Sequence, residues 1–298
     1  MLDVCILGCG GSLPILNRYL SATLIRINGK MCLIDCGEGT QLALKQLHWG
    51  LKNIDLICLT HFHGDHINGL FGLLSTIGNS ERSESLTIIG PHGLSKIKKC
   101  IEYLLPNLPY EIIYYENPST MEWENIQLNT LALMHSAPCL GYSFYVKRQK
   151  EFSVTKAIEN TVPKKLWSSL QKGQTVNYDN VTYTPDMVLG KERRGIKLSI
   201  ITDTRPFPDI SSFIKNSDLL ICEGMYGENT DVDKAIHTKH MTFREAALLA
   251  KAGDVKEMIL THFSPSLLEP EIYLPNALEV FKDTIVAHDL LCRTLKFS

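Results

Sequence analysis

The tetrapeptide Leu-Thr-His-Phe occurs twice in this 298-residue chain, at 59–62 and again at 260–263. Each copy closes a short run of aliphatic and β-branched residues, IDLICLT and EMILT, which predicts a strand. Ligands of α/β proteins gather where strands end and loops begin. Two similar halves packed face to face would therefore bring both histidines to one edge, so the repeat predicts a two-part fold.

Strand-like and helical patterns alternate along most of the chain. Compact aliphatic runs bounded by Gly or Asn predict strands, whereas apolar residues at i, i+3, i+4 and i+7 over 67–74 predict one face of a helix. Thr242 to Glu245 forms a capping box before an apolar run, which predicts the start of another helix. The predicted fold class is α/β.

The stretch 150–196 interrupts this pattern with polar residues and little periodicity. Between Lys147 and Lys197 there are eleven Lys or Arg and five Asp or Glu, a local charge of +6 in a chain whose net charge is −2. A solvated charged loop and a surface for an anionic polymer both fit this composition. Long loops are more often functional than idle, so we expect 150–196 to be an inserted arm.

The overall composition is typical of a soluble globular protein, with 44% hydrophobic and 21% charged residues. No apolar run approaches the roughly 20 residues that cross a bilayer, and the start of the chain lacks the pattern of a signal peptide. Nine cysteines, mostly within apolar runs, fit reduced buried thiols. These features predict a cytoplasmic protein that is not bound to a membrane.

The string His61-x-His63-x-Asp65-His66 places four possible metal ligands within six residues. In extended residues after a strand, positions i and i+2 face the same way, so His61 and His63 can bind one ion. A turn at Gly64 would direct Asp65 and His66 elsewhere. A purely structural role would require partners for four adjacent polar groups, so we predict that the segment serves two neighbouring metal ions.

Three further ligand candidates stand at predicted strand ends, namely His135, Asp203 and His262. A lone His in such a place is usually packed or at the surface, but the metal-binding string and the repeated Leu-Thr-His step favour ligation here. Asp203 is the natural bridge, because a carboxylate has two oxygens. The remaining histidines without such placement are interpreted as ordinary residues: His48, His92, His237 and His288.

Two divalent ions about 3.5 to 4 Å apart supply hydroxide and hold the oxygens of an in-line displacement, which phosphoester hydrolysis requires. A proton must also reach the leaving oxygen. Glu223 after a predicted strand and His240 before a predicted helix are candidates, since a carboxylate partner fixes the tautomer of His and raises its pKa. The spacing alone is equally consistent with a loop charge at Glu223.

Two other segments accompany the predicted strands. The string GCGGSL at 8–13 lacks the third glycine of a dinucleotide fingerprint and the Lys of a P-loop, so it predicts a tight turn. Asp35 lies at a predicted strand-to-helix corner, and we expect it to support the metal ligands from behind.

The metal-binding string with His135, Asp203 and His262 resembles the metallo-β-lactamase superfamily. GCGGSLP with Asn17-Arg18, LIDCGEGTQ, TDTRP, THFSP and CEG followed by HMT together resemble the ribonuclease Z family of tRNA 3′-processing endonucleases, in its short form. The likeness spans nearly the whole chain. It implies a single αββα sandwich over 1–298 with 150–196 as an inserted arm.

The resemblance also implies two Zn²⁺ per chain, with Mn²⁺ or another divalent ion as an alternative. One ion would be held by His61, His63 and His135, the other by Asp65, His66 and His262, with Asp203 between them. Asp65 would also orient the attacking water. The paired Glu223 and His240 would match the family's catalytic loops, and both are expected to be catalytic.

For substrate and assembly, the resemblance implies an arm that grips precursor tRNA and a homodimer in which one arm can serve the other subunit's site. The chain departs from the family pattern at several places: Met225, Met241, Pro163-Lys164-Lys165 and Ser266-Leu267. None of these is a predicted metal ligand. They bear on tRNA grip and substrate preference more than on hydrolysis.

The leading hypothesis is a zinc-dependent endoribonuclease that removes 3′ trailers from precursor tRNA by two-metal phosphodiester hydrolysis and leaves a 3′-hydroxyl on the tRNA. The alternative is a phosphodiesterase or other small-ester hydrolase on the same scaffold. A non-catalytic RNA-binding or metal-storing protein is a third hypothesis, which the complete ligand set disfavours.

Overall fold

The structure, a computed structural model, describes residues 1–297. Its strands, numbered along the chain, are β1 (Leu2–Gly8), β2 (Ala22–Ile27), β3 (Lys30–Ile34), β4 (Ile54–Cys58), β5 (Leu86–Gly90), β6 (Ile112–Glu116), β7 (Thr120–Trp123), β8 (Ile126–Ala132), β9 (Leu140–Val146), β10 (Val176–Tyr178), β11 (Val181–Tyr183), β12 (Ile196–Ile201), β13 (Leu219–Glu223), β14 (Met258–Thr261), β15 (Thr284–Val286) and β16 (Leu291–Leu295).

The helices are α1 (Thr40–Leu47), α2 (Gly64–Ile67), α3 (Leu70–Gly78), α4 (Leu94–Leu104), α5 (Val154–Glu159), α6 (Trp167–Gln171), α7 (Pro208–Phe213), α8 (Val232–Thr238), α9 (Phe243–Ala252) and α10 (Leu274–Leu278). The predicted capping box is confirmed, since the Thr242 hydroxyl accepts from the Glu245 backbone and the Glu245 carboxylate accepts from the Thr242 backbone. Short 3₁₀ turns lie between several of these elements.

Two seven-stranded sheets form the body of the molecule. Their strand orders are β16-β1-β2-β3-β4-β5-β6 and β15-β14-β13-β12-β9-β8-β7. Helices α1 and α4 contact the first sheet, and α9 and α10 contact the second. The central strands β4, β13 and β14 are buried along almost their whole length, as expected for sheets covered on both faces. The predicted α/β class and αββα sandwich are confirmed.

Both Leu-Thr-His steps lie at the carboxyl ends of parallel strands. Strand β4 runs parallel to β3 and β5, and β14 runs parallel to β13 and β15. The helix expected over 67–74 is divided into α2 and α3 at Gly69. A Cβ on Gly69 would lie 2.3 Å from the Gly37 carbonyl oxygen, so the chain turns there to pass close to another backbone segment.

The chain divides into two compact units, one of Met1–Tyr145 with Lys197–Lys296 and the other of Val146–Ile196 with Phe297. The second unit is more ordered than the polar composition of 150–196 suggested. It contains α5, α6 and the β10–β11 hairpin around its own apolar cluster of Ala157, Val162, Leu166, Leu170 and Val188. Its apolar residues are spaced irregularly, which is why they show no periodicity in the sequence.

Every helix among residues 1–297 is too short or too polar to span a membrane. The nine cysteines are free thiols, and seven of them are buried.

The first unit also contains a buried guanidinium. The Arg82 side chain is 1% exposed and forms an ion pair with Asp55 at 3.0 Å. It also donates to four backbone carbonyls, those of Lys52, Ile54, Glu84 and Ser85. These carbonyls belong to the segments that enter β4 and β5. Arg82 therefore ties together the starts of two central strands.

We expect Arg82→Met to lower the free energy of unfolding by about 3 to 5 kcal/mol, because it leaves several buried carbonyls without a donor and removes one of the two cations that pair with Asp55. Urea denaturation would measure the change. Arg244→Met is the matched control: Arg244 is 43% exposed and pairs with Glu279, which is 64% exposed, so its loss should cost less than about 1 kcal/mol. Equal effects of the two substitutions would contradict this account of Arg82.

Candidate metal centre

The first cluster of ring nitrogens lies just beyond β4. His61 and His63 flank Phe62 in extended backbone, and His61 Nε2 lies 2.9 Å from His63 Nδ1. His135, from the segment between β8 and β9, brings its Nε2 to 3.3 Å from the same His63 nitrogen. Three imidazoles from two distant parts of the chain therefore present nitrogen atoms to one point.

The second cluster combines the first turn of α2 with the end of β14. His66 Nε2 lies 3.1 Å from His262 Nε2. Asp65 Oδ2 lies 3.5 Å from His66 Nε2 and 3.3 Å from His262 Nε2. The turn at Gly64 separates Asp65 and His66 from His61 and His63, as the sequence pattern predicted. The two Leu-Thr-His steps thus contribute one histidine to each cluster.

Asp203, immediately after β12, lies between the clusters. Its Oδ2 is 3.6 Å from His61 Nε2 and 3.8 Å from His135 Nε2, while its Oδ1 is 3.3 Å from both His66 Nε2 and His262 Nε2. Each carboxylate oxygen therefore faces a different cluster. The structure brings all seven side chains predicted as ligands to one place.

Protonation in this cluster fits metal binding. Burial and the neighbouring charge of His66 lower the pKa of His61 to about 2, so its ring is neutral. Burial raises the pKa of Asp65, but hydrogen bonds from His262 and His66 outweigh it and hold that pKa well below its usual value. His61 thus offers an unprotonated ring nitrogen and Asp65 a charged carboxylate, which are the forms that ligate divalent ions.

The pKa of His66 is shifted in the opposite direction to that of His61. Burial lowers its pKa, but the carboxylates of Asp203 and Asp35 outweigh burial and raise the pKa well above its ordinary value. The ring thus lies between two buried acids whose charges need a cationic partner. A cation bound by Nε2 would supply that charge.

The arrangement of donors passes a direct test of fit. His66 Nε2 and His262 Nε2 lie within hydrogen-bond distance, although both also face carboxylates, and the buried Nδ1 of His262 has no hydrogen-bond partner among the described residues. Five imidazoles and two carboxylates that converge so closely suit borderline ions such as zinc. The residues present therefore fit a pair of divalent metal ions.

Asp35 supports the second cluster from behind, as predicted. Its Oδ2 is 2.7 Å from His66 Nδ1, and its Oδ1 accepts from the Thr60 backbone N–H at 2.7 Å. The carboxylate therefore fixes Nδ1 of His66 as the protonated nitrogen and leaves Nε2 to face Asp203 and His262. Asp35 also ties the end of β3 to the first residue before the metal-binding string.

Gly11 was interpreted from sequence as part of a tight turn, and the structure shows a more specific reason for it. A Cβ on Gly11 would lie 2.6 Å from His262 Cε1 and 2.7 Å from His262 Nε2. The Gly11 N–H also donates to the carbonyl of Phe263 at 3.0 Å. The glycine-rich segment is thus packed against the imidazole ring, and only a residue without a side chain fits.

The next residue, Ser12, makes a contact that the sequence did not suggest. Its backbone N–H donates to Asp65 Oδ2 at 2.6 Å. This hydrogen bond stabilises the charged form of Asp65 and fixes the position of its oxygen. The only sequence signal near Ser12 is the glycine cluster after β1. A hydrogen bond from a backbone N–H to a distant side chain leaves no pattern in the sequence, so this contact could not be predicted.

Glu223 and His240 form a buried pair beside the clusters. Glu223 Oε2 is 3.0 Å from His240 Nδ1 and accepts from the Met241 backbone N–H at 3.1 Å. Burial lowers the pKa of His240, but the charge and hydrogen bond of Glu223 outweigh burial and raise it to about 9. His240 is therefore a protonated imidazolium near neutral pH, with its Nε2 available. Its ring centre lies 5.1 Å from that of His135.

The histidines interpreted as ordinary residues do not join these groups. His92 is exposed and pairs with Glu116, and His237 is exposed on α8. The residues that could ligate a metal ion among 1–297 comprise the two clusters and a third group of Asp203, His240 and His262.

Curated proteins similar to this chain share its full length. Ribonuclease Z of Clostridium botulinum (strain Alaska E43 / Type E3) is 54% identical over 313 residues, covering 100% of this chain and 99% of the relative. Ribonuclease Z of Clostridioides difficile (strain 630) is 52% identical over 303 residues with the same coverage. Residues 2–172 match the family model described as anti-Pycsar protein Apyc1.

Solved structures share the fold. The metallo-β-lactamase fold protein YhfI from Bacillus subtilis matches with a TM-score of 0.72 at 18% identity, covering 98% of each chain. Human tRNase Z, short form, matches with a TM-score of 0.71 at 24% identity, covering 99% of this chain and 100% of the other. These matches show the metallo-β-lactamase fold.

We expect Gly11→Ala to weaken divalent metal binding at the second cluster by about tenfold or more, because the added methyl group displaces the His262 ring. Competition against a chromogenic chelator would measure the affinity. Gly78→Ala, at the end of α3, is the matched control, since its Cβ would lie 3.2 Å or more from the surrounding side-chain atoms and far less movement is needed. Unchanged metal affinity in Gly11→Ala would contradict the packing argument.

Proposed function

Because this chain belongs to the ribonuclease Z family and to the family that the Apyc1 model describes, with the metallo-β-lactamase fold, we propose that it is a zinc-dependent endoribonuclease that removes 3′ trailers from precursor tRNA. The enzyme is a metal-dependent hydrolase. The observation that carries the proposal is the position of Asp203, whose two oxygens face two separate histidine clusters. A single carboxylate in that position would serve a pair of metal ions.

Two zinc ions per chain are the cofactors that we propose. His61, His63 and His135 would hold one ion, Asp65, His66 and His262 the other, and Asp203 would contact both. A donor set rich in imidazole favours zinc, whereas the carboxylates leave Mn²⁺ as an alternative. Such a pair of ions supplies a hydroxide near neutral pH and stabilises charge on the phosphoryl oxygens.

The chain's own residues complete the reaction. Asp65 is held by the Ser12 N–H and would orient the attacking water. The water oxygen bonds to phosphorus, and the bond from phosphorus to the tRNA O3′ breaks. His240, kept protonated by Glu223, would donate its proton to that leaving O3′. The tRNA is left with a 3′-hydroxyl and the trailer with a 5′-phosphate.

The catalytic pair tolerates one of the departures from the family pattern. Met241 is fully buried, and its contact with Glu223 is made by its backbone N–H rather than by its side chain. A residue of different side-chain chemistry can therefore occupy this position without loss of the hydrogen bond. The departure bears on packing around the pair and leaves its acid chemistry intact.

The second unit is the proposed RNA-binding arm. Most of the basic residues counted between 147 and 197 belong to it, including the exposed Lys164 and Lys165. Its own apolar core, in which the ring centres of Phe152 and Trp167 lie 5.1 Å apart, would present these charges on a folded surface rather than on a flexible loop. Folded RNA is recognised chiefly by shape and phosphate contacts, which such a surface supplies.

Two further parts of the proposal follow from the resemblance. A homodimer, in which the arm of one subunit serves the other, remains a prediction. A cytoplasmic location also remains a prediction, and it suits a substrate that is produced where genes are transcribed.

The direct test is incubation of the zinc-loaded protein with a 3′-extended tRNA, followed by analysis of both product ends. A 3′-hydroxyl on the tRNA and a 5′-phosphate on the trailer are the expected result. Hydrolysis of a small phosphodiester without cleavage of the tRNA would instead support the alternative of a small-ester hydrolase.

Removal of the arm should separate substrate recognition from chemistry. Because β9 and β12 are neighbours in the second sheet, residues 148–194 can be replaced by a short Gly-Ser linker. We expect cleavage of precursor tRNA to fall by about a hundredfold or more, since many phosphate contacts are lost. Hydrolysis of bis(p-nitrophenyl) phosphate should stay within about twofold. Parallel loss of both activities would argue against a separate binding role for the arm.

We expect His240→Ala to lower the single-turnover rate of tRNA cleavage by about 10² to 10⁴, because the leaving oxygen loses its proton donor. Metal content, measured by elemental analysis, should remain at the wild-type value. His237→Ala on the exposed side of α8 is the matched control and should leave both quantities unchanged. Loss of metal in His240→Ala would assign this residue to ligation instead.

A further inference from the structure

Lys239 lies beside the candidate metal centre, where two hydrogen-bond contacts link it to the candidate metal ligand His135. The Lys239 ammonium donates to the His135 carbonyl oxygen at 3.1 Å. In return, His135 Nδ1 lies 3.3 Å from the Lys239 carbonyl oxygen. A carbonyl can only accept, so this contact assigns the ring hydrogen to Nδ1 and leaves the Nε2 lone pair facing Asp203.

The backbone of Lys239 is held in an uncommon conformation. It follows α8 with φ 60° and ψ 45°, in the left-handed region, and its N–H donates to the Ile236 carbonyl at 3.3 Å. The next residue is His240, the proposed proton donor. Left-handed non-glycine residues persist where the surroundings require them, often at functional sites. The position of Lys239 is thus determined by α8, His135 and His240 together.

Two arginines in this part of the molecule also donate to protein groups. Arg18 donates to the carbonyls of Leu267 and Leu268 at 2.9 Å each. Arg205 pairs with Glu245 and donates to the carbonyl of His240. Lys239 is exposed, and its ammonium has three donors, one of which is used on His135.

We propose that Lys239 is a substrate-binding residue of this centre, whose ammonium contacts an RNA backbone phosphate adjacent to the scissile linkage. This inference rests on the proposed function. The hydrogen bond to His135 holds the long side chain in place, which reduces the entropy lost when a phosphate binds. The ammonium, with its two remaining donors, is then a positive charge held at a fixed distance from the candidate metal ligand His135.

The contact predicts a specific dependence on salt. Each phosphate neutralised by a lysine releases condensed counterions, so losing one contact changes the slope of log Kd against log salt by about 0.7 to 0.9. A residue that only braces His135 would change metal affinity and turnover but would leave that slope unchanged. The slope therefore separates substrate contact from structural support.

The experiment uses the zinc-loaded protein and a precursor tRNA with a non-cleavable linkage at the scissile position. We expect Lys239→Met to raise Kd by about three- to tenfold and to reduce the salt slope by about 0.7 to 0.9. Lys239→Arg, which keeps the charge, should keep the slope. Lys282→Met is the matched control: Lys282 is exposed and precedes β15, at the strand end opposite His262, so its slope should equal that of the wild type.

A second measurement tests the same assignment without RNA. Bis(p-nitrophenyl) phosphate has no flanking phosphate, so Lys239→Met should lower its hydrolysis far less than it lowers cleavage of the precursor tRNA. An unchanged salt slope, or loss of zinc with equal loss of activity on both substrates, would overturn the proposal. Wild-type protein that binds precursor tRNA but leaves a cleavable precursor intact would refute the proposed function, and the slope would still decide the role of Lys239.

Discussion

Five imidazoles and two carboxylates crowd around Asp203 in a region that is largely closed to water, and the rest of the structure accommodates that crowding. Ionisable groups are costly to bury unless they are paired, and here each carboxylate is paired with more than one ring. His66 lies between the carboxylates of Asp35 and Asp203, which raise its pKa against the effect of burial. Divalent cations would balance the charge of these acids, so metal binding and the stability of the folded centre would be linked.

Residues with left-handed backbone conformation at the strand ends orient these side chains. Asp35, Asp203 and His262 follow strands β3, β12 and β14, and all three have left-handed φ values between 52° and 60°. Such residues turn the chain sharply, so that side chains from two different sheets can meet. The outer hydrogen bonds, donated by Nδ1 of His66 to Asp35 and by Nδ1 of His240 to Glu223, then fix the orientation of each ring. The centre thus depends on turns as much as on ligands.

Much of this arrangement could be predicted from sequence. The residues that could not be predicted share one physical feature, which is that their contacts are distant in the chain. The metal-binding string and the capping box are local, so their geometry follows from residue spacing alone. Gly11, Ser12 and Lys239 act on residues that are far away in the chain, such as His262, Asp65 and His135, and they act partly through backbone groups that are the same in every residue. The buried Arg82 was missed for the same reason, since four of its partners are carbonyls.

In the proposed enzyme the two units would divide the tasks of a processing nuclease between them. The residues proposed to hold metals and move protons lie in the first unit, and their chemistry would serve many phosphodiesters equally well. Selection of a large RNA requires further contacts with phosphates, and the basic second unit and the ammonium of Lys239 are the groups proposed to make them. In that proposal, substitutions in the arm would alter the choice of substrate without disturbing the balance of charges around Asp203. The reverse does not hold, because a change in that balance alters every reaction that the centre can perform.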